Sequence, residues 1–317
     1  MNILDAFIRF YALLINRKVV PALFLSLLRY VVRKAANIVL PIYLKHSSGK
    51  TVKSISYSEM NGTDGKQVIV SLTTFPARIS KLWMVIECMM RQTVRPDRII
   101  LYLSKEQFAD KSLLPQNLLA YEGRGLTIEI KDGDLRSHKK HYYALREFPD
   151  SLVFLIDDDI FYPSDTIEKV LAAHCKSPSA VICRYARKIA YTSDGEIRPY
   201  RFWRWVNNAS SDNDLFFGSG GGTLFQPNRL YVDVSDKDLF QRLTPQADDI
   251  WLNAMTRLAK TSIVKIPFGL FLPIINDDDV RLASSNRDDG MNDKQCQSIS
   301  AYYKRQIGVD PFSKRMM

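Results

Sequence analysis

Asp157, Asp158 and Asp159 end the run Leu152-Val153-Phe154-Leu155-Ile156. The run is short, apolar and branched, so it predicts a buried strand. Three carboxylates at its end crowd like charges into a crevice at the sheet edge. A divalent cation relieves such repulsion, with carboxylate, water and phosphate oxygens as ligands. Mn2+ or Mg2+ suits these hard oxygens, and a phosphate-bearing substrate is expected beside it. Side chains alternate along extended backbone, so Asp157 and Asp159 share one side and Asp158 faces the other. An acidic turn that binds nothing is the alternative.

A second group is Phe217-Gly218-Ser219-Gly220-Gly221-Gly222-Thr223-Leu224. Its glycines, Gly220 and Gly221 among them, leave backbone N–H groups bare, so a sugar or phosphate can approach. No Lys-Ser/Thr follows and no strand plainly precedes it, which excludes a Walker loop and a dinucleotide fingerprint. The third is Ala247-Asp248-Asp249-Ile250-Trp251-Leu252. Trp251, Leu252, Met255 and Leu258 share a helical face, which puts both aspartates at a helix N-terminus. N-capping accounts for one of them. The other, Asp249, is available as a general base, ionised with help from the helix dipole. Basic groups face the same region: Arg78 after the first strand, then Arg136, Lys139 and Lys140, with Asp134 in the same stretch. Lys139 or Lys140 suits a phosphate contact. His138 and His141 are possible metal ligands. Tyr200-Arg201-Phe202-Trp203-Arg204-Trp205 offers rings to a sugar or to the core.

These groups need a scaffold that brings them together. Strands are expected at 67–72, 98–103, 126–130 and 152–156, the third nearer an edge. Helical spacing separates them, at Ile79–Met90 and Ser137–Phe148, so an α/β domain with a largely parallel sheet is predicted. Such sheets bind ligands at the carboxyl ends of their strands, where the Thr73–Arg78 loop, Ser104, the Asp132–Lys140 stretch and Asp157–Asp159 lie, so these are expected to converge on one crevice. A further helix opens at Ser164-Asp165-Thr166-Ile167-Glu168, with Asp165 and Glu168 as a capping box.

The 317 residues are 46% hydrophobic and 25% charged, as in a folded protein rather than a disordered one. The net charge of +10 is uneven, because residues 1–46 hold seven basic residues against Asp5 alone. A nucleic-acid coat would spread its basic residues over the folded body, so no nucleic-acid partner is expected. The four cysteines form no C-x-x-C pair, which leaves zinc and redox motifs unsupported and fits reduced thiols. No uncharged stretch of residues 1–46 is long enough to span a bilayer. The segment predicts amphipathic helices on an anionic membrane surface; helices packed on the protein's own core are the alternative. Residues 47–66 read as a linker or exposed hairpin, and 67–317 as the catalytic domain.

Together the groups resemble a glycosyltransferase of the GT-A fold, of the kind encoded in bacterial surface-polysaccharide (lipopolysaccharide or capsule) clusters. The resemblance rests on Ser71-Leu72-Thr73-Thr74-Phe75-Pro76-Ala77-Arg78, on Asp157-Asp158-Asp159 as a D-x-D motif, on Gly218–Gly222 running into Thr223-Leu224-Phe225-Gln226-Pro227, and on Asp248-Asp249-Ile250-Trp251. It spans about residues 67–280. It implies a Rossmann-like sheet, a nucleotide-sugar donor, and Mn2+ or Mg2+ bridging the donor diphosphate. Asp159 and Asp157 would meet the metal and the ribose or phosphate, with Asp158 on the donor side. Thr73 and Arg78 would lie by the nucleotide. Asp249, beside Asp248, would deprotonate an acceptor hydroxyl with inversion. The acceptor would be a glycan or glycolipid, lipid-linked or lipopolysaccharide, met at the cytoplasmic face of the inner membrane by a peripheral enzyme. Many such enzymes add a histidine ligand from the C-terminal region; none follows His174 here, leaving Asp277, Asp278, Asp279 or Asn286 as substitutes, or a site with fewer protein ligands. Other readings are a sugar nucleotidyltransferase, a haloacid-dehalogenase-like phosphatase, for which Phe161 is the wrong residue, and a non-catalytic membrane-bound scaffold.

Overall fold

The computed structural model describes residues 2–14, 21–47, 54–61, 65–268, 270–275 and 290–314. The chain opens with α1 (Ile3–Leu13), α2 (Ala22–His46) and the short α3 (Tyr57–Asn61). An alternating series follows: β1 (Val68–Thr73), α4 (Leu82–Met90), β2 (Arg98–Ser104), α5 (Gln116–Leu119), β3 (Leu126–Lys131), α6 (Lys139–Glu147) and β4 (Leu152–Ile156). Next come β5 (Ile160–Phe161), α7 (Thr166–Lys176), β6 (Val181–Cys183), β7 (Ala186–Lys188), β8 (Arg204–Val206), β9 (Ser210–Ser211), β10 (Leu215–Phe217) and β11 (Gly221–Phe225). The described chain ends with α8 (Lys237–Leu243), α9 (Asp248–Leu258), β12 (Ile263–Lys265), β13 (Leu272–Pro273) and α10 (Met291–Ile307).

The predicted α/β class is found. One eight-stranded sheet has the order β3-β2-β1-β4-β11-β6-β12-β9, with β3 at the expected edge. Pairing is parallel from β3 to β4 and between β6 and β12; β11 and β9 run against their neighbours. The alternation of side chains builds two cores. Leu152, Phe154 and Ile156 of β4 enter one, with Val68, Val70 and Leu72 of β1. Val153 and Leu155 enter the other, with Ile69 and with Trp251 and Met255 of α9. Burial on both faces explains why these strands are unbroken apolar runs.

The N-terminal helices belong to the first core through Leu4, Ile8, Tyr11, Val32, Ala36, Leu40 and Leu44. Their outer face remains apolar and exposed, Leu23 at 83% and Ile38 at 67%. Among the described residues no helix is long and apolar enough to cross a membrane. Ile55 bridges Val94, and Tyr57 is buried in the first core, so the described part of the 47–66 segment lies against the domain. The capping box expected at α7 is absent. The Asp165 carboxylate pairs with Arg9 and Lys169, and that of Glu168 accepts from Thr93, because those partners lie within reach.

Candidate functional site

The carboxyl ends of β1 and β4, the glycine run and the start of α9 meet around one cavity of about 410 Å³. Asp157, Asp159, Asp248, Asp249, Gly220 and Gly221 all line it, with Arg78 and Lys140. Segments distant in sequence therefore converge on one crevice.

The triplet divides as alternation predicts. Asp158 turns inward, where it accepts from Thr74 Oγ1 at 2.5 Å and from Arg78 at 2.7 Å. Asp157 and Asp159 face the cavity. Arg78 also reaches Asp159 at 3.0 Å, and Lys140 Nζ reaches Asp157 at 2.7 Å. Burial, then the neighbouring Asp158 charge, pushes Asp159 up to about 7 despite Arg78. The wall thus holds more negative charge than its two cations comfortably balance. Burial works against the Arg78 charge, but Asp158 and Asp159 prevail and raise its pKa.

Lys140 joins the two halves of the cavity. It is buried, yet Asp157 at 2.7 Å and Asp248 at 3.2 Å hold its pKa well above the ordinary lysine value. Its backbone is fixed as well, since Ser71 of β1 donates to its carbonyl at 2.6 Å. Lys139, one residue earlier, points elsewhere. It pairs with Asp134 at 2.6 Å, and Asp134 also accepts from Gln107 and from the Arg136 backbone. Neither Lys139 nor Asp134 lines the cavity, and of these three residues only Lys140 does. Successive residues of a helix face different sides, and only one of two neighbours can enter the crevice. Thr73 is likewise not among the lining residues; its buried hydroxyl has no partner among the described residues.

Gly218, Gly220 and Gly221 line the cavity and also admit close packing of the protein's own groups. A strand, β10, leads into the run, contrary to the sequence expectation, and Gly221 begins β11, which pairs with β4. A Cβ on Gly220 would lie 1.7 Å from Asp157 Oδ1, and one on Gly218 would lie 2.5 Å from the Tyr185 ring. The Asp157 carboxylate therefore occupies the space that a side chain at position 220 would take. Tyr162 locks this contact: its hydroxyl donates to the Gly220 carbonyl at 2.7 Å and accepts from the Asp157 N–H at 2.9 Å. Gly222 adopts φ +97, where β11 breaks register, a conformation that favours glycine.

Neither aspartate caps α9, whose N-cap is Ala247. Both instead hold Ser219: its N–H donates to Asp249 at 2.6 Å and its hydroxyl to Asp248 at 2.7 Å. The pair is split electrostatically. Burial opposes the Asp248 charge, but Lys140 wins and draws its pKa down to about 2. Burial, then the Asp248 charge, pushes Asp249 up to about 7. The helix dipole was expected to favour the ionised form of Asp249; desolvation and a like charge outweigh it and raise the pKa instead.

His138 and His141 are not exposed metal ligands. They lie buried against each other, with Nδ1 of His138 2.9 Å from Nε2 of His141. His138 Nε2 donates to the Thr244 carbonyl at 2.6 Å, so its Nδ1 accepts from His141. Burial lowers both pKa values, that of His138 to about 4. In the aromatic stretch Trp203 is core, while Tyr200 and Trp205 line the cavity. Tyr162, Tyr185, Arg187 and Phe271 were not singled out from sequence. They come from short, separated strands and loops with no spacing signal. Ser219, inside the glycine run, carried a signal in being its one polar side chain.

Asp157 and Asp159 suit a hard divalent cation whose other ligands come from substrate phosphate and water. Among the described residues no three His, Cys, Asp or Glu side chains cluster to hold a metal alone. Asp277, Asp278, Asp279 and Asn286 lie outside the described residues.

No protein-family description matches the sequence, and no curated protein does. The structure is similar to a mannosyltransferase from Pyrobaculum calidifontis solved with GDP-Man and Mn2+. That match has 14% identity and a TM-score of 0.48, covering 90% of this chain and 78% of that one. It is also similar to S. aureus TarS 1-349 with UDP, at 13% identity and TM-score 0.41, covering 77% and 72%. The TarS structure with UDP-GlcNAc gives 11% and 0.45, covering 77% and 73%. All three scores lie below 0.5, so the chemistry of the cavity has to be read from its own residues.

Proposed function

We propose that the protein is a metal-dependent glycosyltransferase that moves a sugar from a nucleoside diphosphate to a glycan or glycolipid acceptor. The observation that carries this is the single cavity walled at one side by Asp157 and Asp159 and at the other by Asp249. The first wall suits a cation shared with a diphosphate; the second offers a carboxylate whose pKa, pushed up to about 7, matches a general base at neutral pH. Asp157 and Asp159 would hold Mn2+ or Mg2+, which when bound neutralises charge on the departing diphosphate.

The chain's own residues account for the remainder. Asp249 takes the proton from the acceptor hydroxyl, whose oxygen bonds to the anomeric carbon. The bond from that carbon to the diphosphate breaks, and the diphosphate leaves with the electron pair. Attack from the side opposite the leaving group inverts the anomeric centre. Ser219 N–H orients Asp249, and Lys140 keeps Asp248 ionised, so that Asp249 is the member of the pair able to take a proton.

The test uses purified protein with a panel of nucleotide sugars and Mn2+, measuring slow release of nucleoside diphosphate. Release that depends on metal is expected for one donor. No release with any donor, together with no metal-dependent donor binding by calorimetry, sinks the transferase reading.

We further propose that α1 and α2 place the enzyme on the anionic cytoplasmic face of the inner membrane as a peripheral protein. Support comes from the exposed apolar residues Leu23, Phe24, Leu27, Val31, Ile38 and Ile42, with Lys34 and Lys45 exposed beside them. Apolar side chains enter the acyl boundary and lysines meet acidic headgroups.

A further inference from the structure

Arg187 differs from the other cations of the cavity. Arg78 is paired with Asp158 and Asp159, and Lys140 with Asp157 and Asp248. Arg187 is 8% exposed, lines the cavity, and has no carboxylate partner among the described residues. One guanidinium nitrogen donates to the Trp203 carbonyl at 3.0 Å, while the buried Nε has no partner. Its carbon lies 4.1 Å from the Trp205 ring centre and 4.9 Å from that of Tyr200. Ring faces offset part of the cost of burying a cation, but an anion is what completes it.

The positive character continues outward. A depression of about 820 Å³ adjoins the cavity, lined by Lys188, Arg198, Arg201, Arg204 and Phe202. Trp205, 49% exposed, lines both spaces and so joins them. Lys188 is paired with Asp212, whereas Arg198, Arg201 and Arg204 are exposed and form no ion pair among the described residues. Arg198 and Arg201 flank the Phe202 ring at 4.2 and 5.0 Å. A neutral sugar needs no such row of guanidinium groups. A single carboxylate would engage one of them; a phosphate or diphosphate offers more oxygens and more charge, which guanidinium forks match.

We infer that Arg187 and the arginine shelf bind a phosphate carried by the acceptor, with an acceptor sugar ring against Trp205. The inference rests on the transferase reading and names the acceptor class for it. Two sources share this chemistry: the diphosphate of a lipid-linked glycan and a phosphate on a soluble glycan.

The test uses full-length protein saturated with metal and with the nucleoside diphosphate that the hydrolysis assay identifies, so the donor half is occupied. Calorimetry then compares farnesyl-diphosphate-linked N-acetylglucosamine in micelles, glucose 1-phosphate and uncharged methyl glucoside. At least one phosphate-bearing probe is expected to bind about tenfold or more tightly than methyl glucoside. Binding of the micellar probe alone assigns the lipid source, and binding of glucose 1-phosphate assigns a phosphate on the glycan itself. Arg187→Gln is expected to weaken phosphate binding about tenfold, as is the exposed pair Arg201→Gln with Arg204→Gln, whose folding is not at risk. The shelf is overturned if neither phosphate probe outbinds methyl glucoside, or if the double variant keeps wild-type phosphate affinity. Absence of donor hydrolysis in the wild-type protein instead removes the transferase reading beneath it, so the two failures are separable.

Discussion

Asp249 and Asp248 are chemically identical neighbours whose pKa values move in opposite directions, and their surroundings make the difference. Lys140 lies 3.2 Å from Asp248 and draws it down, whereas Asp249 receives its charge penalty without that cation in contact. Asp249→Asn should therefore retain donor binding and lose transfer by about 10²–10⁴-fold, measured as kcat with donor Kd in parallel. Wild-type transfer should rise with pH through about 7 as Asp249 ionises, and the variant should lack that limb. Stability moves the other way. The folded pKa of Asp249 exceeds the unfolded one, so the folded state binds more proton between about pH 4 and 7 and loses stability as pH rises through that window. Above that window Asp249→Asn should melt higher than wild type. Gly220→Ala tests the other wall. Its Cβ would overlap Asp157 Oδ1, so metal-dependent nucleotide binding should fall by at least about tenfold in calorimetry.

At the scale of elements, the wall that carries Asp157 and Asp159 is held from outside the sheet. β13 pairs with β5, and Ile274 N–H donates to the Asp159 carbonyl at 2.8 Å. Asn37 of α2 grips this ribbon twice, donating to the Pro273 carbonyl at 2.9 Å and accepting from Ile275 N–H at 2.8 Å. Asp5 of α1 accepts from both the N–H and the hydroxyl of Ser164, at 2.8 and 2.5 Å. The N-terminal helices thus brace the segment that carries Asp159. Asn37→Ala should cost roughly 1–3 kcal/mol of stability, because it strands partly buried backbone groups. It should also weaken nucleotide binding, which thermal melting with and without ligand separates from the stability loss. A donor affinity equal to wild type would show that the brace matters for folding only.

For the whole molecule, one pair of helices serves the core inwardly and faces solvent with apolar residues outwardly. Deleting residues 1–46 would strip Leu4, Ile8, Ala36, Leu40 and Leu44 from the first core, so the truncated protein should aggregate rather than simply leave a membrane. Leu23→Glu with Leu27→Glu and Ile38→Glu is the cleaner test. That variant should stay folded and lose binding to anionic vesicles in sedimentation; unchanged binding would argue against the membrane reading. Much of the architecture was legible from residue order. Apolar runs of five or six residues, separated by helical spacing, determine parallel strands buried on both faces, and those strands put Arg78, Lys140 and Asp157 at one end of the sheet. Local pattern carries that information because it depends on a strand's own burial. Which of the two buried lysines enters the cavity, Lys140 or Lys139, was decided by how α6 docks on β1, where Ser71 holds the Lys140 carbonyl. The strand β7, with Tyr185 beside it and Arg187 in it, enters the cavity only through pairing with β8 and β10. The filling of Gly220 by Asp157, and the splitting of Asp248 from Asp249, likewise come from contacts across long sequence separations. Periodicity is blind to those, since they arise only when remote segments share one volume from which water is excluded.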